Sequence, residues 1–260
     1  MIIVEGLTFA YPGQSPVFEG FDWRVAEGEV WSVLGPSACG KSTLLLLLAG
    51  LLRPQHGAIT IHGEPVLRPR PRTSLVLQAY DLLPWATVRE NVALGLRIRR
   101  FYGPDGRHAP ADAPVDSTEL EDRVSHWLAR LSIADVAGKY PGRISGGQRQ
   151  RTAIARALVL HPDLLLMDEP FSALDAPTRE GLQDLTLELS AEAGLTVVLV
   201  THNIEEAAYV GQRVLVLHEP PNRTRRIAEI AHTPDAAYRR SDAYQAACAD
   251  LRSRLGSNER

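Results

Sequence analysis

The stretch Gly35-Pro36-Ser37-Ala38-Cys39-Gly40-Lys41-Ser42 constrains this chain more than any other. It matches the pattern GxxxxGK(S/T), follows an expected strand over Glu29 to Leu34 and precedes an expected helix over Leu44 to Leu52. In that context the pattern forms a phosphate-binding P-loop. Its glycines let successive backbone N–H groups turn inward around phosphate oxygens, and the helix N-terminus adds a partial positive charge. Lys41 is then placed to reach β and γ phosphates and Ser42 to ligate Mg²⁺, with Thr43 completing the expected nucleotide-binding set. Cys39 is either a tolerated loop residue or a reactive one, since a helix N-terminus tends to lower a thiol's pKa.

The elements around this loop alternate as an α/β chain does. Short strands are expected over Ile2 to Val4, Leu7 to Tyr11 and Asp22 to Val25, broken by the turn signals Pro12-Gly13 and Glu27-Gly28. Further strands are expected over Ala58 to His62 and Ser74 to Leu77. A helical middle follows. It opens at Thr87-Val88-Arg89-Glu90, whose end residues have capping-box spacing, and continues with helices over Ser117 to Arg130 and Gln148 to Leu160. In the last of these Ala153, Ile154, Ala157 and Leu158 share one face, with Arg149 and Arg151 turned away from it. Phe101 to Val115, rich in Gly, Pro, Asp and Ala, reads as an exposed loop. Beyond it come a strand over Leu164 to Met167, a helix over Arg179 to Ser190, a strand over Leu195 to Val200, a helix over Glu205 to Val210 and a strand over Arg213 to Leu217. The strands of this last third are apolar on both faces, as in a parallel sheet covered by helices.

Composition narrows the function. The 260 residues are 45% hydrophobic and 23% charged, ordinary globular usage with enough apolar content for a sizeable core. The formal net charge of -3 supplies no global excess of Lys and Arg to neutralise phosphates, so no nucleic acid partner is expected. Cys39 and Cys248 are the two cysteines and have no companions at metal-ligand spacing, which suggests neither a disulfide framework nor a zinc site. No basic segment leads into a long apolar stretch near Met1, so no secretory signal is expected. The longest apolar run, Leu44 to Leu52, is about half the roughly 20 residues a membrane-spanning helix requires.

Two further segments carry chemistry. Leu164-Leu165-Leu166-Met167-Asp168-Glu169 is a buried strand ending in two carboxylates. Alone, such acids could simply close the following turn. Beside a P-loop, Asp168 is placed near the metal and Glu169 where it orients an attacking water. Ser145-Gly146-Gly147-Gln148 is a second glycine-containing helix start, rich in N–H donors.

With Ile144, this last segment resembles the signature motif of ABC ATPases, in which the signature of one protomer faces the nucleotide held by the P-loop of the other. P-loop, signature and Leu164 to Pro170 stand in the family's order, and the resemblance extends to about Leu217. Ile144 for the commoner Leu and Ala38 for a frequent Gly depart from the family pattern. The resemblance implies a P-loop NTPase of the ABC ATPase type, with a RecA-like core, an N-terminal antiparallel β subdomain and a helical signature subdomain. It implies one domain over 1–260, with the helical subdomain over about 79–160 and a C-terminal tail over about 227–260. By the same resemblance Gln78 is a Mg²⁺ contact that senses the permease, His202 the switch histidine at the γ phosphate, and Ser172 to Asp175 the loop linking the two sites of a homodimer. Tyr11 stands where the family places an aromatic against adenine, or is an ordinary half-buried strand residue.

The stretch from Leu82 to Val92, with Pro84-Trp85, resembles the segment after Gln78 in ATPases of nitrate, sulfonate and taurine importers. Trp85 there either docks a partner or belongs to the subdomain core, and Arg97, Arg99 and Arg100 form either a solvated face or a lipid-headgroup contact. The resemblance therefore implies an ATPase peripheral to the cytoplasmic face of the cell membrane. Its cofactors would be ATP and Mg²⁺, and its partners transmembrane permease subunits and, indirectly, an extracellular substrate-binding protein. The alternative is a soluble ABC ATPase acting on DNA or ribosomes, whose relatives carry paired ATPase domains or a long coiled-coil insertion that this chain lacks.

Overall fold

A computed structural model of the chain describes residues 1–102, 117–230 and 237–256. The elements run β1 (Ile2–Phe9), β2 (Phe18–Val25), β3 (Val30–Leu34), α1 (Lys41–Leu48), β4 (His56–Ile61), β5 (Glu64–Pro65), β6 (Thr73–Val76), α2 (Val88–Tyr102), α3 (Ser117–Arg130) and α4 (Gly146–Leu158). They continue with β7 (Leu164–Asp168), α5 (Ala176–Ala193), β8 (Thr196–Thr201), α6 (Ile204–Val210), β9 (Arg213–Val216), β10 (Arg226–Glu229) and α7 (Asp242–Gly256). The chain divides into two compact units, the first made of 1–70, 166–169 and 183–260, the second of 71–165 and 170–182.

In the first unit an antiparallel sheet has the order β2-β1-β4-β5. Along β2 the buried Phe21, Trp23 and Val25 alternate with exposed Asp22 and Arg24, the period of a strand with one face in a core. The two strands expected over Ile2 to Val4 and Leu7 to Tyr11 are one strand, β1, whose register on β2 shifts between Val4 and Leu7. The polar Glu5-Gly6 that looked like a gap is a bulge.

The second sheet of this unit sets β3 between β8 and β9, parallel to both, with β10 antiparallel on β9 and the end of β7 beside β8. All five residues of β3 and all six of β8 are buried, as strands covered on both faces must be. Trp23 of one sheet meets Trp31 of the other edge to face with centroids 5.3 Å apart, a contact worth about 0.5–1.5 kcal/mol beyond its buried area. The tail expected over about 227–260 contributes more than a loose end. In it, β10 lies on β9 and α7 packs against α6 and β9 through Tyr244, Cys248 and Leu251. Residues 231–236 and 257–260 lie outside the described residues.

In the second unit α2, α3 and α4 pack on one another and α4 lies on β6, where Ser74 Oγ donates to the Ala157 carbonyl at 2.9 Å. The expected capping box opens α2. Glu90 accepts from the Thr87 backbone N–H at 2.8 Å and from its hydroxyl at 2.9 Å. The helix then runs through Phe101 and Tyr102, the first two residues of the expected loop, and residues 103–115 lie outside the described residues. Of the arginines near the end of α2, Arg97 is exposed and Arg99 is half-buried. The Arg99 guanidinium donates to the Leu160 carbonyl at 3.0 Å and to the Pro71 carbonyl.

Candidate functional site

The P-loop is built in the first unit between the end of β3 and the start of α1. Glycine is required at position 35, because an added Cβ would stand 2.5 Å from Cys39 Sγ and 2.8 Å from the Leu217 carbonyl oxygen. At Gly40 the backbone has φ 106°, open to glycine, and α1 starts on the next residue, three earlier than its apolar run suggests. Lys41, Ser42 and Thr43 are polar for the site and helical all the same. The buried Lys41 ammonium donates to the Gly35 and Pro36 carbonyls at 2.9 and 2.8 Å, on the loop whose residues Pro36, Ser37 and Ala38 are exposed. Ala38 holds φ 63°, the left-handed region in which a Cβ costs about 1–2 kcal/mol, so its departure from the commoner glycine has an energetic cost. Cys39 is 1% exposed, and burial pushes its thiol pKa up against the opposing pull of Lys41 and the loop N–H groups. That corrects the reactive reading, because desolvation of the thiolate outweighs the positive loop.

The two acids close the same unit. Asp168, at the end of β7, accepts a hydrogen bond from the Ser42 side chain, and its carboxyl pKa is raised by burial and by the neighbouring Glu169. Glu169 has φ 45° and donates its N–H to the Val200 carbonyl at 3.0 Å. Its Oε1 lies 3.0 Å from His202 Nδ1. The turn that carries His202 is fixed by groups the sequence reading passed over. The Asn203 N–H donates to Thr201 Oγ1 at 3.0 Å, Thr201 Oγ1 to the buried Glu206 at 2.7 Å, and the Glu206 N–H to Asn203 Oδ1 at 3.0 Å. Asn203 with Glu206 three residues on is a legible helix-start signal. Tyr11 is half-buried, edge-on to Phe9 at 5.0 Å, with its hydroxyl 3.2 Å from Thr43 Oγ1.

The second unit holds the other predicted residues. Ser145 caps α4, accepting from the Gln148 N–H at 3.2 Å while Gln148 Oε1 accepts from the Ser145 N–H at 3.0 Å. This reciprocal cap starts the helix at Gly146, two residues before the expected Gln148. Gly147 packs on Thr178, whose Cγ2 would lie 2.5 Å from an added Cβ. Ser172 to Asp175 forms the turn before α5, with the Arg179 guanidinium on the Leu174 carbonyl at 2.8 Å.

Gln78 is exposed in the turn after β6. Just beyond it Tyr80 and Asp81 have φ 65° and 46°, and the Arg156 guanidinium on α4 holds their carbonyls at 2.9 and 2.6 Å. Arg149, expected to turn away from the apolar face of α4, has its Cζ 5.8 Å from the Tyr80 ring centroid and so faces the Gln78 turn. The structure thus gathers Tyr11, Lys41, Ser42, Thr43, Asp168, Glu169 and His202 within the first unit, and ties the Gln78 turn to the Ser145 helix within the second.

These sites match known proteins over most of the chain. A family model described as ABC transporter matches residues 18–172. A taurine import ATP-binding protein of Chromobacterium violaceum is 40% identical over 223 residues, covering 85% of this chain and 80% of the relative. A nitrate import ATP-binding protein of Synechococcus elongatus is 38% identical over 230 residues, covering 88% of this chain and 79% of the relative. Among solved structures, a dimeric bacterial ABC transporter cassette has a TM-score of 0.76 at 30% identity, covering 90% of this chain and 100% of that one. A dimeric ATP-binding cassette in a post-hydrolysis state with ADP and Pi has a TM-score of 0.74 at 28% identity, covering 90% and 100%.

Proposed function

Because this chain belongs to the ABC transporter family, we propose that it is the ATP-hydrolysing subunit of an importer, working as a homodimer on the cytoplasmic face of a membrane beside separate permease subunits. The cargo class is a small anion such as nitrate, a sulfonate or taurine, delivered by an extracellular binding protein. Among the described residues no helix is long and apolar enough to cross a membrane. Relatives named as import ATP-binding proteins favour this reading over a soluble ATPase acting on DNA or ribosomes.

One observation carries the catalytic part: Glu169 and His202 meet at 3.0 Å beside the Asp168–Ser42 pair. Glu169 orients and polarises the attacking water, and His202 holds the carboxylate on one side and reaches γ phosphate on the other. Lys41 leaves the Gly35 and Pro36 carbonyls to meet the charge on the γ phosphate, and the loop N–H groups cradle the phosphates of the bound nucleotide. Tyr11 offers its ring to adenine. Ser145, Gly146, Gly147 and Gln148 meet the γ phosphate of the nucleotide on the second protomer. The Ser42 hydroxyl and Asp168 carboxylate are adjacent oxygen donors of the type Mg²⁺ prefers, with Gln78 as a further contact, and the ion would neutralise phosphate charge.

ATP hydrolysis by the purified chain tests this reading. Lys41→Ala should abolish turnover in a folded protein, and Glu169→Gln should lower kcat by about 10²–10⁴ while MgATP still binds. Full turnover in a well-folded Lys41→Ala protein would sink the assignment.

A further inference from the structure

Behind the P-loop, on the first unit, lies a segment that no motif draws attention to. Leu217 donates its N–H to the Leu34 carbonyl at 2.8 Å, and its own carbonyl oxygen backs Gly35. Five residues on, Asn222 is pinned by its backbone to the start of β2, its N–H on the Val17 carbonyl at 2.9 Å and its carbonyl accepting from the Glu19 N–H at 3.1 Å. Val17 and Phe18 in turn fill the space against Gly40, where an added Cβ would meet Val17 Cγ1 at 2.5 Å and Phe18 Cζ at 3.2 Å.

The Asn222 side chain is 6% exposed and its two ends have different duties. Its Oδ1 accepts from the His218 N–H at 3.0 Å, and its Nδ2 donates to the Cys39 carbonyl at 2.8 Å. A backbone N–H is only a donor and a carbonyl only an acceptor, so this pair of partners admits one orientation of the amide. The peptide from Cys39 to Gly40 is planar and trans, so its C=O and N–H point in opposite directions. A hand on the Cys39 carbonyl therefore aims the Gly40 N–H away from Asn222.

We propose that Asn222 is a positioning residue for the phosphate cradle, holding the Cys39 carbonyl so that the Gly40 N–H faces bound phosphate. This rests on the reading of Gly35 to Ser42 as the site of nucleotide phosphates. Without the amide the Cys39 carbonyl loses the donor that sets its direction, and Gly40, with no Cβ, tolerates a tilt of the peptide that another residue would resist. A misaimed N–H loses a charge-assisted hydrogen bond to phosphate in ground and transition states alike, which raises KM and leaves kcat.

Two variants of the full chain separate the causes. Asn222→Asp keeps the acceptor for His218 and loses the donor, adding a negative charge; Asn222→Leu is neutral and loses both. With MgATP, each is expected to raise KM about tenfold with kcat within a factor of about two, measured well below its melting temperature. A lower kcat at unchanged KM marks a merely structural role that reduces the folded fraction, and overturns the proposal. So does a raised KM for Asn222→Asp alone, since that is charge and not aim. Wild-type protein with no ATPase activity would count against the proposed function instead. Should neither variant fold, Asn222→Ser and Asn222→Gln, which keep a donor and an acceptor but displace them from the Cys39 carbonyl, are measured in the same way: a raised KM at unchanged kcat is expected, and a wild-type KM in both refutes the assignment.

Discussion

Asp168 illustrates the cost of the site at the level of one residue. Burial and the Glu169 carboxylate hold its pKa above the ordinary 3.8, with the Ser42 hydrogen bond and Lys41 pulling the other way. Between 3.8 and that raised value the folded chain binds more protons than the unfolded one, so stability falls as pH rises through this window and is lowest above it. Asp168→Asn keeps an oxygen for Ser42 and cannot ionise. It should therefore melt higher than wild type at neutral pH, each kcal/mol relieved being worth about 2–4 °C at this chain length. The gain should fade as pH falls toward 3.8, and hydrolysis should be impaired throughout. Thermal melts across pH check it, and a melting temperature below wild type at neutral pH refutes it. At this scale the charged chemistry was legible, because Lys41, Ser42, Asp168 and Glu169 occur in fixed local strings. The Asn222 brace was not, since its partner Cys39 lies 183 residues away and an Asn after two prolines reads as a turn.

Elements show the same division between local and distant causes. The Thr87–Glu90 cap was readable because both partners lie within one turn, whereas the loop before it is held by Asn91. That fully buried side chain accepts from the Leu83 N–H at 2.7 Å and donates to the Leu83, Ala86 and Thr87 carbonyls at 3.0–3.1 Å. The result is a loop pinned to Asn91 that presents Trp85 at 74% exposure, on the surface and not in the core. An anchored exposed aromatic of this kind suits a partner's pocket. Trp85→Ala should leave the ATPase activity of the isolated subunit near normal, and weaken its co-purification with the permease about tenfold. Wild-type recovery of the complex would show that the loop faces solvent in the assembly. Helix α7 was missed although Tyr244, Cys248 and Leu251 have i, i+4, i+7 spacing, because three apolar contacts among Asp, Gln and Arg give a weak periodic signal. The start of β2 at Phe18 was missed for a similar reason, the exposed Glu19-Gly20 interrupting its alternation.

At the scale of the whole molecule, the two N–H-rich helix starts fall in different compact units, the P-loop in one and Ser145 to Gln148 in the other. Two anion-ready helix starts have a shared purpose if, as proposed, each protomer lends its signature to the nucleotide on its partner; the similar cassettes with TM-scores of 0.74 and 0.76 are themselves dimeric. On that proposal dimerisation follows from bound ATP, because the γ phosphate would be the group both protomers grip. On the same proposal, release of the cleaved phosphate removes the grip, so wild type in MgATP should drift back to monomer as it turns over. Glu169→Gln keeps Lys41, Ser42 and Asp168 for binding and loses the charge that activates water, so it should accumulate as an ATP-bound dimer on size-exclusion chromatography. Adding Ser145→Arg to that variant replaces a small hydroxyl with a bulky side chain at the helix start and should return it to monomer. A Glu169→Gln protein that stays monomeric at saturating ATP, or a double variant that dimerises equally well, would leave a P-loop ATPase whose second helix start serves some other ligand.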